Sequence, residues 1–215
     1  MCNITIISSF HKNYGKCNPN ELLKIIESFK PEVIFEELDK KTFREIYVNA
    51  NTPVSNEAIA ISYYLKKHPI EHIPVDTYQF DFSKLFSGAE QISLINQEYS
   101  NLWKQHASFI KKFGYEYLNS DDCFKIVQRI KTLEQNALVG INDKKLSNSY
   151  ETELLINEKR ELEMLKNIYD HCMKSPISKG IFICGVDHIH GFKGKLTDFK
   201  LSENINIEWN FFIAN

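Results

Sequence analysis

The chain lacks an excess of charge of either sign. Its 215 residues include 26 Lys and Arg against 28 Asp and Glu, so the formal net charge at pH 7 is -2. Proteins that bind nucleic acid generally present a basic patch, whereas the lysine pairs here are scattered, at 40–41, 66–67, 111–112 and 144–145. The even balance predicts no nucleic-acid partner.

Long apolar runs are also lacking. No run approaches the roughly 20 residues that a helix needs to cross a bilayer. Residues 1–5 lack both the basic region and the apolar region of a signal peptide. We therefore expect a cytoplasmic protein with no membrane partner.

Cysteines at metal-binding or redox spacing are absent as well. The five cysteines are an odd number and no two have CxxC spacing, which argues against a disulfide framework and a zinc ribbon. They are Cys2, Cys17, Cys123, Cys172 and Cys184. The chain also has no P-loop and no GxGxxG motif, so no nucleotide-binding loop is indicated.

The first forty residues contain the pattern of a β-α-β unit. Residues 3–10 and 32–38 are short runs rich in β-branched and apolar side chains, which is typical of buried strands. Between them, Asn18 and Pro19 form a helix start, and Leu22 and Ile26 lie on one helical face. Because the two strands flank one helix, they are expected to be parallel.

The rest of the chain adds three strands and a long helical segment. Residues 70–76, 179–186 and 205–212 are predicted strands, and Ser55 begins a helix that extends to about Lys67. From about 81 to 175 the apolar spacing is helical, with three helices expected. The sequence predicts a single α/β domain over 1–215, with a mostly parallel central sheet flanked by helices. Residues 81–175 would form a helical insertion, or cap, between the third and fourth core strands.

Polar side chains follow the predicted strands where each strand ends. They are His11, Glu36 and Glu37, Asp76, and His188 with His190. Ligands bind beyond the carboxyl ends of parallel strands, so these groups should converge if the strands are neighbours. Imidazoles and carboxylates together can hold a divalent metal or act as general acid and base. Alternation along the strand does not decide whether Glu36 or Glu37 faces the site. His190 could be a second metal ligand beside His188 or simply a loop residue.

Short motifs at these positions resemble a known superfamily. The motifs are Ser8-Ser9-Phe10-His11, Glu37-Leu38-Asp39, the helix segment 157–164 with Arg160, and Gly185-Val186-Asp187-His188 followed by Gly191. They resemble the superfamily of TraB, GumN-like, Tiki, ChaN and erythromycin-esterase-like proteins, whose pattern is GxxH, an ELD-type strand and a second GxxH. The chain departs from it at Ser8, where the family has glycine. It also lacks the family arginine shortly after ELD, for which Arg44 is the nearest candidate.

The resemblance implies a metal-dependent hydrolase that cleaves a peptide, amide or ester bond in a small-molecule or peptide substrate. His11, Glu37 and His188 would hold Mn²⁺, Co²⁺ or Zn²⁺, which would activate a bound water. Glu37 or Asp76 would ligate the metal or act as general base, and Arg160 would stabilise the developing oxyanion.

Two alternatives stay open. In the first, a metal-free esterase-like hydrolase uses His11 or His188 as general base, oriented by Glu37 or Asp187. In the second, the cleft binds haem or another small ligand as in ChaN, with a histidine as axial ligand. The sequence leaves the oligomeric state undecided, and a homodimer is compatible with it.

Overall fold

The computed structural model describes residues 2–49, 52–77, 86–175, 177–198 and 206–214. It contains a five-stranded sheet in the order β3-β2-β4-β1-β5, and every neighbouring pair of strands is parallel. The strands are β1 (Cys2–Ser9), β2 (Val33–Asp39), β3 (Glu71–Asp76), β4 (Lys179–Gly185) and β5 (Ile207–Phe211). The predicted α/β class and parallel sheet are confirmed, with strand ends moved by one or two residues. Ile205 and residues 81–85, which the predicted elements included, lie outside the described residues.

The helices of the first half begin at side-chain caps. In α1 (Pro19–Phe29), Asn18 Oδ1 accepts the N–H groups of Asn20 and Glu21, as the predicted helix start requires. Asp39 caps α2 (Lys40–Phe43), which continues into a π-helical turn over Arg44–Val48. Ser55 caps α3 (Asn56–Lys67) by accepting the N–H of Ala58.

The segment between β3 and β4 is helical throughout its described part. It contains α4 (Ala89–Ile95), α5 (Gln97–Phe113), α6 (Tyr115–Leu118), α7 (Asp121–Ile141) and α8 (Lys144–Lys174). Among the described residues of this segment there are five helices where three were expected, because Asn96 ends α4 while capping α5, and Gly114, with φ of 59°, ends α5. Within the described ranges no helix, the 31-residue α8 included, is long and apolar enough to span a membrane.

The sheet is buried on both faces, which explains why its strands are apolar at successive positions. One face packs on α1 and α3 and contains Ile7, Ile34 and Ile183. The other packs on α8 and on α9 (Ile189–Asp198) and contains Ile6, Phe35 and Phe182. Because side chains alternate along a strand, Glu36 lies on the side of Ile34, and Glu37 lies on the side of Phe35, which α8 covers.

The loop that carries His11 is held against the helical segment. The Lys16 N–H donates to the Lys111 carbonyl of α5 at 2.9 Å, and Asn56 donates to the carbonyls of Phe10 and Lys12 at 2.8 Å. Gly15, at φ of 62°, lies so close to the Lys111 carbonyl that a Cβ would overlap it. The position of His11 is therefore set by backbone contacts on both sides of the loop.

Candidate functional site

The carboxyl ends of β1, β2, β3 and β4 meet at one edge of the sheet. His11 follows β1, Glu37 lies near the end of β2, and Asp76 ends β3. His188 closes a short 3-10 turn, Val186–His188, that continues from β4. Helix α8 crosses this edge and contributes Arg160. The structure thus brings together all five side chains singled out from the sequence, although their contacts differ.

Glu37 is the centre of a buried hydrogen-bond network. Its Oε1 accepts from Arg160 Nη2 at 2.6 Å and lies 3.1 Å from His188 Nε2, while its Oε2 accepts the Gly185 N–H at 2.6 Å. Burial would raise the pKa of Glu37, but the charges of His188 and Arg160 and the hydrogen bonds outweigh burial and hold the pKa well below its usual range. Glu37 is therefore a carboxylate at neutral pH.

His188 lies between two carboxylates and is 5% exposed. Its Nε2 faces Glu37, and its Nδ1 is 2.9 Å from Oε1 of Glu161, which was not among the predicted site residues. Burial would lower the pKa of His188, but the Glu37 charge and the bonds to Glu161 and Glu37 raise it to about 10. At neutral pH the ring is therefore an imidazolium that donates from both nitrogens. Gly191 is required beside it, because a Cβ there would overlap the Glu161 carboxylate.

Arg160 joins Glu37 to the end of β3. Its Nε and Nη2 donate to Asp76 Oδ2 at 3.1 and 2.8 Å, and its Nη1 donates to Asn157 at 3.2 Å. At the other end of the network, Lys195 of α9 donates to Glu161 at 2.7 Å. In the part of the chain that the structure describes, the network therefore pairs the carboxylates of Glu37, Asp76 and Glu161 with the cations Arg160, His188 and Lys195.

His11 differs from His188 in exposure and in partner. Its side chain is 59% exposed, and its Nδ1 lies 3.1 Å from Oε1 of Glu57, which is 5% exposed. The Ser9 hydroxyl donates to the same carboxylate oxygen. The hydrogen bond to Glu57 raises the pKa of His11 to about 9. Because Nδ1 donates to Glu57, the neutral ring carries its lone pair on Nε2.

The Nε2 of His11 faces the Glu37 end of the network across Gly185. A Cβ built on Gly185 would lie 3.3 Å from His11 Nε2 and 3.3 Å from Glu37 Oε2. His11 Nε2 and Glu37 Oε2 are therefore separated by no more than twice 3.3 Å. Since Gly185 has no side chain, the space between them stays open. One reacting atom could contact both groups there.

A cleft of about 220 Å³ opens at this edge. It is lined by His11, Glu36, Glu37, Leu38, Ser55, Glu57, Ile183 and Cys184. Both glutamates of the second strand therefore reach the cleft. Glu37 belongs to the charged network, whereas Glu36 accepts from the Tyr47 hydroxyl at 3.0 Å and lies 2.9 Å from His72 Nε2.

The predicted metal ligands His11, Glu37 and His188 do not form a metal-binding donor set in this arrangement. A histidine ligand needs a nitrogen without a proton, and both nitrogens of His188 face carboxylates. Nowhere in the described ranges do three or more His, Cys, Asp or Glu side chains form a group that could hold a metal. The metal site remains a prediction, and it would require deprotonation of His188.

Other candidates from the sequence lie apart from this network. The exposed His190 packs its ring against Phe124, with ring centroids 5.4 Å apart, and Asp187 is also exposed. The carboxylates that contact the two histidine rings are Glu57 at His11, and Glu37 and Glu161 at His188. Glu57 lies in the first turn of α3, where an acidic residue is common because it stabilises the helix. Its place in the sequence therefore did not indicate a role in the site.

Compared with protein-family models, curated proteins and solved structures, the chain matches none. The resemblance of its short motifs to the TraB and erythromycin-esterase-like superfamily therefore stays a prediction.

The buried network predicts a large effect for Arg160→Met. Removing the guanidinium leaves Glu37 and Asp76 without its charge inside the protein, so we expect the free energy of unfolding to fall by about 3–5 kcal/mol. The matched control is Arg129→Met, because Arg129 pairs with Glu98 at 2.7 Å where both side chains are about half exposed. That change should cost far less, because an exposed ion pair is screened by solvent. Equal small losses in urea denaturation would contradict the network.

Proposed function

We propose that the protein is a hydrolase that cleaves an ester or amide bond with His11 as general base and Glu57 as its orienting carboxylate, without a metal ion. The observation that carries the proposal is the exposed His11 ring, whose Nδ1 is held by the buried Glu57 while Nε2 faces the cleft. A base oriented by a carboxylate and open to substrate is the arrangement that general base catalysis needs.

In the proposed reaction, neutral His11 removes a proton from water through Nε2 as the water oxygen bonds to the carbonyl carbon. The protonated ring then donates that proton to the departing alcohol oxygen or amine nitrogen as the acyl bond breaks. We assign water as the nucleophile; the hydroxyl of Ser55, which lines the cleft, serves as a helix cap by accepting the N–H of Ala58. The products are a carboxylic acid and an alcohol or amine.

Glu37 has a second role in this proposal. Arg160 and His188 keep it ionised, and its Oε2 borders the same open space beside Gly185 as His11 Nε2. A carboxylate there can accept a hydrogen bond from the attacking water and orient it. Arg160 and His188 then act through Glu37 as positioning residues, with their charges neutralised by carboxylates.

The size of the cleft favours a small reacting group. Its volume of about 220 Å³ is below the roughly 300–1,000 Å³ typical of pockets that enclose a whole small-molecule ligand. We therefore expect the bond to be cleaved, with its immediate substituents, to enter the cleft while the rest of the substrate stays outside.

The metal-dependent alternative uses the same residues, so the test has to separate the two. The purified protein is assayed against p-nitrophenyl acyl esters, lactones and N-acyl amides, with and without an excess of 1,10-phenanthroline. The proposal predicts hydrolysis that survives the chelator. Loss of activity that Mn²⁺, Co²⁺ or Zn²⁺ restores would support the metal site instead, and no hydrolysis of any substrate by the folded protein would count against both hydrolase readings.

His11→Asn should lower kcat/KM by about 10²–10⁴-fold, the usual contribution of a general base. In the wild type, kcat/KM should rise with pH and level off above an inflection at about pH 9. The neutral form of His11 is the active one, and its pKa is raised to about 9. Glu57→Gln should move the inflection of the kcat/KM profile toward the ordinary histidine pKa of about 6.5. His68→Asn, at the exposed end of α3, is the control and should leave the profile unchanged. If the inflection stays near pH 9 in Glu57→Gln, the assignment of His11 and Glu57 as base and orienting carboxylate is wrong.

Gly185→Ala tests the open space independently of charge. Gly185 has ordinary extended backbone angles, φ of -61° and ψ of 142°, so alanine fits the backbone there. The added methyl group would lie 3.3 Å from both His11 Nε2 and Glu37 Oε2. We expect kcat/KM to fall about 10–100-fold and the free energy of unfolding to change by less than about 1 kcal/mol. Gly194→Ala, whose added Cβ meets nothing within 4 Å, is the matched control. Full activity in Gly185→Ala would show that chemistry occurs elsewhere.

A further inference from the structure

Two of the five thiols are in contact at the C-terminal end of α8. Cys2 is the first residue of β1, and Cys172 lies in the last turn of α8. Their sulfur atoms are 3.5 Å apart although the residues are 170 positions apart in the chain. The pair forms a direct side-chain contact between the sheet and the helix that carries Arg160.

Packing holds the two thiols in place. Cys2 is 6% exposed and Cys172 is 3% exposed, and both belong to the apolar cluster on the α8 face of the sheet, with Ile168 and Ile207. Cys17 and Cys123 pack on the opposite face of the sheet, whereas Cys184 of β4 belongs to the same cluster as the pair. Cys2 and Cys172 are therefore a preformed pair.

The contact makes the two thiols chemically unequal. The hydrogen bond from Cys172 lowers the pKa of Cys2, and the same contact, together with burial, raises the pKa of Cys172. Of the two thiols Cys2 is therefore the more readily deprotonated, and the thiolate is the form that reacts with oxidants.

We propose that Cys2 and Cys172 form a redox modification site, which a hydroperoxide converts to a disulfide. The Cys2 sulfur attacks one peroxide oxygen, the O–O bond breaks, and Cys2 becomes a sulfenic acid as one water or alcohol leaves. The Cys172 sulfur then attacks the Cys2 sulfur, the S–O bond breaks, and the departing hydroxide takes the Cys172 proton as water. The two thiols together lose two protons and two electrons, and the two electrons reduce the peroxide.

The disulfide would tie the end of α8 to the start of the sheet. It closes a loop of 170 residues in the unfolded chain, a length at which a crosslink removes much of the denatured state's freedom. The expected effect is a rise in Tm of about 10 °C that dithiothreitol reverses. Arg160 lies on the same helix, so the crosslink would also restrain the helix that positions the network.

The full-length protein is treated with hydrogen peroxide, then unfolded, and its thiols are counted with a chromogenic disulfide reagent. The proposal predicts a fall from the five thiols of the chain to three. Non-reducing peptide mapping should find the Cys2 peptide joined to the Cys172 peptide, about 2 Da lighter than the two alone, since two hydrogens are lost. Five remaining thiols, a link between other cysteines, or Cys2 sulfinic acid without a link would each overturn the proposal.

Variants separate the two steps. In Cys172→Ala, oxidation should stop at the Cys2 sulfenic acid, which dimedone captures, because no second thiol can displace its oxygen. Cys123→Ala is the control and should still form the Cys2–Cys172 link. If Cys172→Ala does not fold, the peptide map of the wild type decides alone.

Discussion

The arrangement of the site depends on the ionised carboxylate of Glu37. A buried carboxylate is costly unless charges and hydrogen bonds compensate it, and each compensating group here comes from a different element. Arg160 comes from α8, His188 from the turn after β4, and the Gly185 N–H from the end of β4 itself. Through Arg160 the same carboxylate is joined to Asp76 of β3. One charge therefore fixes the relative positions of two neighbouring strands, the β3 edge and the long helix.

This constraint separates the two histidines that the sequence presents as a pair. His188 has a carboxylate at each ring nitrogen and is almost fully buried, so its N–H protons are held in hydrogen bonds within the protein. His11 has one carboxylate, Glu57, and a side chain that is largely exposed, so its ring can exchange a proton with solvent. A buried, charged network beside an exposed histidine is the division between supporting groups and a reacting group that the proposed function assumes.

Residue patterns predicted the strands, the helix starts at Asn18 and Ser55, and the convergence of strand-end polar groups, because these depend on local spacing and on the general geometry of parallel sheets. They did not predict the partners. Glu57 lies at an ordinary helical position, and Glu161 is one acid among several on α8, so only the packing of their helices shows what they contact. The assignment of Glu37 to the network needed the sheet itself, since it depends on which face α8 covers. The contact between Cys2 and Cys172 joins residues 170 positions apart and has no local signature in the sequence.

The protonation of the histidine rings tests this account most directly. Long-range ¹H–¹⁵N NMR spectra resolve both ring nitrogens of each of the seven histidines, and His188→Gln and His11→Asn assign the two of interest. At pH 7.5 the account predicts that both nitrogens of His188 carry protons, and that His11 titrates with a pKa near 9. A neutral His188 ring at that pH, with one nitrogen free to bind a metal, would contradict it.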